Sequence, residues 1–365
     1  MNTQRSFVRY GPGVEQIEAD EQATFENIAN AMRREGGVTH KRYGHAVRVS
    51  HAKAHGLAVG QLTVLDKLAP EYAQGLFSLP RSYDVLVRLA HVPGELLDDR
   101  KVSTPRGMAL KVLGAQGLKI AEHEGGDTHD WVLDTGESFP APNAGAFLAV
   151  IRTLAAATPG PELVKAAVSE VSLATNKVLN AVGLNSANLD FFGHPARHPL
   201  AETYYSQAAI RYGDYIAKLR VRPVTPALKS LEDEHLSIEG EDGLRLAVTT
   251  TLAEAPAEYE VAIQLCTDLD RMPVENANKV WDADESPYVP VARLTLPAQD
   301  AYSEARRRFV EEHVSFSPAH ALEAHRPLGS IMRARLYVYP RLSEERMRVN
   351  AAHLVEPRSI SEVPA

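Results

Sequence analysis

Apolar and polar residues alternate over several short stretches of this chain. The period is two residues, that of a strand with one buried face. The stretches LAVGQLTVL (57–65), YDVLVRLAHV (83–92), GMALKVLGA (107–115), YIAKLRVRPV (215–224), YEVAIQLCTDL (259–269) and VARLTLP (291–297) predict strands. LRLAVTTTLAE (244–254), with three successive threonines, reads the same way, and HAVRVSH (45–51) puts Val47, Val49 and His51 on one parity. Elsewhere the period is helical. VEQIEADEQATFENIANAMRRE (14–35) spaces Ile17, Phe25, Ile28 and Met32 for one or two helices. FLAVIRTLAAA (147–157) carries Phe147, Val150, Ile151 and Leu154 on one stripe, and PELVKAAVSEVSLATNKVLNAV (161–182) opens with a proline near a helix start. The last 60 or so residues return to helix, with Pro and Gly interruptions.

Many strands separated by turns of hairpin length predict an antiparallel sheet or barrel. The helices fall in two groups and do not alternate with the strands. The fold class is therefore α+β, an antiparallel β-barrel with flanking helices, and not a doubly wound parallel sheet. Residues 1–20 read as an N-terminal arm and 21–365 as one domain.

Composition narrows the function. The chain has 365 residues, 44% hydrophobic and 24% charged, with a formal charge of −8. That balance disfavours a general nucleic-acid surface. Its one cysteine, Cys266, rules out an intramolecular disulfide framework and a cysteine-rich metal site. The first residues lack an apolar core of signal-peptide length, and no apolar run is long enough for stable membrane insertion, so a cytoplasmic protein is the expectation.

Two stretches carry candidate chemistry. In RVSHAKAHG (48–56), His51 and His55 stand four apart with no carboxylate or cysteine at ligand spacing, which makes a poor zinc site. His51 is either a polar residue at a strand end or an inward-facing proton shuttle. In RARLYVYPRLSEER (333–346), Arg335 precedes Tyr339 by four residues and Arg346 follows it by seven, so the three share a helix face. Two readings stand: a core tyrosine flanked by surface arginines, or a phenol whose ionised form a guanidinium favours. Pro340 implies a kinked helix or a helix start at this point.

Taken together, these stretches resemble the haem catalase superfamily. RVSHAKAHG is similar to the family's distal segment, VLVRLAHVPGE (85–95) and RGMALKV (106–112) to the two strands that follow it, and RARLYVYPRLSEERMR (333–348) to the proximal helix. ETYYSQAAIRYGDYIAKLRVRP (202–223) and MPVENANKVWDADESPYVPVARLTLP (272–297) resemble catalase barrel segments, and all the matches run in the family's order.

The resemblance implies haem b, with Tyr339 as the ligand to iron; tyrosine ligation is the established catalase precedent. It implies that Arg335 stabilises the Tyr339 phenolate, that Arg48, Arg88 and Arg346 bind the haem propionates, and that Phe139 and Phe147 line the distal haem face. His51 would be the distal acid–base. Three departures qualify it. FSPAHALEAHRPLGSIMRARL (316–336) resembles short, minimal catalase-related peroxidases. Asp134 aligns with the distal asparagine; an ionised aspartate accepts hydrogen bonds without donating, whereas a protonated one, or Thr135 or another group in an offset loop, could donate. Ser50 stands where catalases have valine, as a threonine does in allene oxide synthase relatives, and Ala90 replaces a serine. The implied function is a peroxidase that reduces hydrogen peroxide or organic hydroperoxides with a small-molecule reductant and has weak catalase activity. The alternatives are a fatty-acid hydroperoxide-converting enzyme of the allene oxide synthase type and a non-catalytic haem-binding protein. Short relatives imply a homodimer.

Overall fold

The computed structural model describes residues 6–123, 126–157 and 194–365. The predicted helix at 161–182 lies outside the described residues. Eight strands close on themselves: β1 (Ala54–Val64), β2 (Ser82–His91), β3 (Arg106–Leu113), β4 (Thr128–Thr135), β5 (Tyr204–Tyr205), β7 (Tyr215–Pro223), β8 (Ala257–Leu265) and β9 (Val289–Leu296). The order is β5-β4-β3-β2-β1-β9-β8-β7, and a β5–β7 pairing completes the ring. The short β6 (Ile210–Tyr212) extends β5 along the same edge of β7. Every pairing is antiparallel. Closure removes the open sheet edges on which chains aggregate. The expected barrel is therefore the observed architecture.

Alternation sorts each strand into two faces. Val85, Val87 and Leu89 of β2, Met108, Leu110 and Val112 of β3, and Trp131 and Leu133 of β4 point into the barrel and form its core. The opposite parity, outside the barrel, holds Arg88 and Ala90, then Gly107, Ala109 and Lys111, then Asp130, Val132 and Asp134.

Helices cover part of that outer face. α1 (Glu21–Tyr43), α2 (Ala144–Ala157) and the long C-terminal helix, α6 (Ser330–Val349), pack together through Phe25, Ile28, Ala144, Leu148, Ala334 and Val338. α6 runs unbroken through Pro340. Between them in sequence lie α3 (Pro226–Ser230), α4 (Gly243–Glu254) and α5 (Glu304–Glu312). No helix among the described residues is long and apolar enough to cross a membrane.

Two expectations fail locally, and one strand is unforeseen. Residues 244–254, predicted as strand, form α4. Leu244, Val248 and Leu252 are buried at a spacing of four, whereas Leu246, which a strand would place with them, is 60% exposed; one helical stripe fits and alternation does not. β4 was not anticipated, because its polar residues His129, Asp130 and Asp134 are buried by neighbours distant in sequence. Residues 45–51 are irregular and β1 begins only at Ala54, so the parity of Val47, Val49 and His51 has no meaning there. His51 also does not face the barrel interior. It sits on the outer surface.

Candidate active site

One cavity of about 180 Å³ lies between the outer face of β2–β4, the 46–51 loop, α1 and α6. Among the residues lining it are Arg48, Ser50, His51, Arg88, Tyr339 and Arg346, each singled out in the sequence. The irregular loop explains how Arg48 and His51, three apart, reach the same space. His51 has φ of 56°, in the left-handed region. Such a residue costs on the order of 1–3 kcal/mol and persists when its surroundings hold it. Here both of its backbone groups are engaged. Its N–H donates to Val92 O at 2.8 Å, and its carbonyl accepts from Arg88 Nη2 at 2.8 Å.

The imidazole rests on the β3 backbone at Gly107. A Cβ at that position would lie 2.5 Å from both Nδ1 and Cε1 of the ring, so only glycine leaves room. In register, Gly107 faces Asp134 on β4, which brings Asp134 beside the ring: His51 Nε2 is 3.5 Å from Asp134 Oδ1. Burial pulls the His51 pKa below its ordinary value of 6.5; Asp134 opposes this, while Arg88, Arg335 and Arg48 add to it. The net direction keeps the imidazole neutral, the form that accepts a proton. The Ser50 hydroxyl donates to Val92 O at 3.1 Å, the same carbonyl that holds the His51 N–H. The two residues thus share one anchor.

Three guanidiniums gather at one end of the cavity. Arg88 Nε and Nη2 donate to Glu311 Oε1 at 3.3 and 2.9 Å. Arg48 donates to Glu311 Oε2 through Nη1, and to Val310 O and Val314 O at 2.6 and 2.9 Å through Nη2. Arg346 Nη1 donates to the backbone carbonyl of Glu311. Burial lowers Arg48 well below the ordinary guanidinium value, against the pull of Glu311. Arg346 falls to about 10 for the same reason. Glu311 lies below the usual carboxylate value: burial raises it, but Arg48, Arg88 and Arg346 outweigh that. Glu311 carries no local signal: it sits in a charged run, ARRRFVEEH (305–313), that reads as a solvated helix face.

The phenol of Tyr339 lines the cavity from α6. Burial raises its pKa above 10.0; Arg335 acts in the opposite direction and Asp134 in the same one. The expected stabilisation of a phenolate by Arg335 is therefore present in sign and outweighed in size. The Arg335 guanidinium has further partners. It donates to Met332 Sδ at 3.7 Å, stacks over the Phe139 ring at 5.2 Å, and its Nη2 lies 3.9 Å from Asp134 Oδ2. Phe139 and Phe147 touch edge to face, with centroids 5.0 Å apart, and stand outside the set of residues lining the cavity.

No protein-family model matches the chain, and no curated protein matches it. Solved structures do. A fungal catalase superposes with a TM-score of 0.58 at 18% identity, covering 100% of this chain and 71% of that one. Catalase A from Saccharomyces cerevisiae gives 0.54 at 16% identity over 96% and 70% of the two chains. A bacterial catalase gives 0.56 at 15% identity over 96% and 66%. The closed eight-stranded antiparallel barrel, with helices laid across the outer face of β2–β4, is thus the catalase fold.

Proposed function

We propose that this protein is a haem-dependent oxidoreductase related to the catalases, acting as a peroxidase on hydrogen peroxide or an organic hydroperoxide. The observation that carries this reading is the gathering of Tyr339, His51 and the guanidiniums of Arg48, Arg88 and Arg346 around one cavity on a catalase-type barrel. The donor set suits the group. Three guanidiniums against one carboxylate leave positive charge at one end, matched to an acidic cofactor, and guanidiniums bind carboxylates through paired hydrogen bonds. A phenol is a haem-iron ligand in the catalase precedent.

In this reading Tyr339 would hold the iron, and Arg48, Arg88 and Arg346 would hold the acidic side chains. A bound haem would supply the two electrons for cleaving the peroxide bond, and the small-molecule reductant would restore them. His51, neutral and fixed by Val92, Arg88 and Gly107, accepts a proton from the bound peroxide and returns it to the departing oxygen, general acid–base catalysis by one side chain. Asp134 cannot donate to the peroxide while ionised. It acts on His51 by raising its proton affinity. That is the physical argument for weak catalase activity.

The test is reconstitution of the purified chain with haemin, followed by absorbance and by peroxide consumption with and without a phenolic reductant. A Soret band, reductant-dependent peroxide loss and little oxygen release are expected. Tyr339→Phe should lose haemin affinity or shift the charge-transfer bands. Unchanged spectra and turnover in that variant would remove Tyr339 from the site.

A further inference from the structure

The arginine cluster contains a carboxylate of its own. Glu311 of α5 reaches Arg48 through Oε2 and Arg88 through Oε1, and its backbone carbonyl accepts from Arg346. Its side chain is 17% exposed, between guanidiniums that are 14% and 4% exposed. Three guanidiniums share this one bridging carboxylate, with Glu312 acting only on Arg346, so the cluster keeps a net positive charge that favours a further carboxylate.

The bonds that position the three arginines are separable from that carboxylate. Arg48 is also anchored by Val310 O and Val314 O, Arg88 by His51 O, and Arg346 by the Glu311 backbone. The guanidiniums have backbone anchors that would remain if the Glu311 carboxylate let go.

We propose that Glu311 is a built-in stand-in for a cofactor carboxylate: it neutralises the arginine cluster in the apoprotein, and cofactor loading exchanges its ion pairs with Arg48 and Arg88 for those of the incoming acid. The proposal rests on the haem reading above. It makes Glu311 a counterion that lets the seat form early and a competitor that slows its filling.

The test is stopped-flow mixing of the full-length apoprotein with haemin and with haemin dimethyl ester, which lacks the acidic groups. Glu311→Gln should lower the unfolding temperature of the apoprotein and speed haemin association about tenfold, equivalent to ~1.4 kcal/mol. It should leave association of the ester unchanged. Glu311→Asp, one methylene too short to bridge both guanidiniums, should move in the same direction by less, and it serves if the glutamine variant does not fold. Haemin rates equal to or slower than wild type in the variants, or an equal acceleration with the ester, would overturn the role of Glu311 and leave the haem reading standing. A wild-type chain that binds neither probe would overturn both.

Discussion

The inner and outer faces of β2, β3 and β4 come from the same three stretches of sequence and have opposite chemistry. Inside, Val87, Leu89, Met108, Leu110 and Trp131 fill the barrel with large apolar side chains. Outside, across the same backbone, stand Arg88, Ala90, Gly107, Ala109 and Asp134. The inner face gains from every added methylene it can pack. The outer face gains from what it omits. Gly107 leaves space for a ring, and Ala90 and Ala109 leave a cavity that helices roof over without filling. Large residues hold the barrel closed, and small ones next to charges make a site on its surface.

The contrast can be broken from either side. The largest effect is expected from His51→Ala, which removes the ring resting on the outer face and leaves the barrel interior untouched. Haem binding should survive while the peroxide reaction slows by ~10²–10⁴, the usual cost of losing a general acid–base. Single-turnover absorbance measures this, and a rate within a few-fold of wild type would exclude His51 as the shuttle. Leu110→Ala, one residue from Ala109 but on the inner face, should behave oppositely. It is expected to cost ~2–5 kcal/mol in denaturant unfolding, as buried Leu→Ala changes do, with little change in turnover per folded molecule. A comparable loss of turnover would mean that the two faces are not independent.

The smallest effect sharpens the outer face. Asp134 raises the proton affinity of His51 against burial. Asp134→Asn should therefore move the acid limb of the peroxide reaction to lower pH, starting from a wild-type limb already below the ordinary imidazole value of about 6.5. The sign follows from the net direction. Burial depresses the imidazole pKa, so base activity is present above it and lost as pH falls through it. An acid limb that stays in place, or moves up, would mean that Asp134 does not act on His51.

Legibility differed along the same line. The strands were readable wherever the inner parity was apolar and the outer parity faced helices or solvent, as in β1, β7, β8 and β9. β4 was not, because His129, Asp130 and Asp134 are polar yet buried, paired with partners such as His320 and Leu322 from near the C-terminus. α4 was misread because β-branched threonines weigh towards strand in isolation, while burial of Leu244, Val248 and Leu252 decides for helix. At the site, His51, Tyr339 and Arg346 stand out by their spacing, and resemblance adds Arg48 and Arg88. Where Arg335 points was not legible, since a side chain with a choice between a phenol and a carboxylate is decided by what folds beside it.

The sequence by itself determined that short strands form an antiparallel barrel with flanking helices, and which residues carry candidate chemistry. Those properties follow from periodicity and residue type, which are local. Only the tertiary structure decided that the site lies outside the barrel, that His51 sits in a left-handed loop over Gly107 beside Asp134, and that Glu311 joins Arg48, Arg88 and Arg346. Each of these depends on strand register and helix docking across hundreds of residues, where the energy of burying a charge is set by partners that no local pattern names.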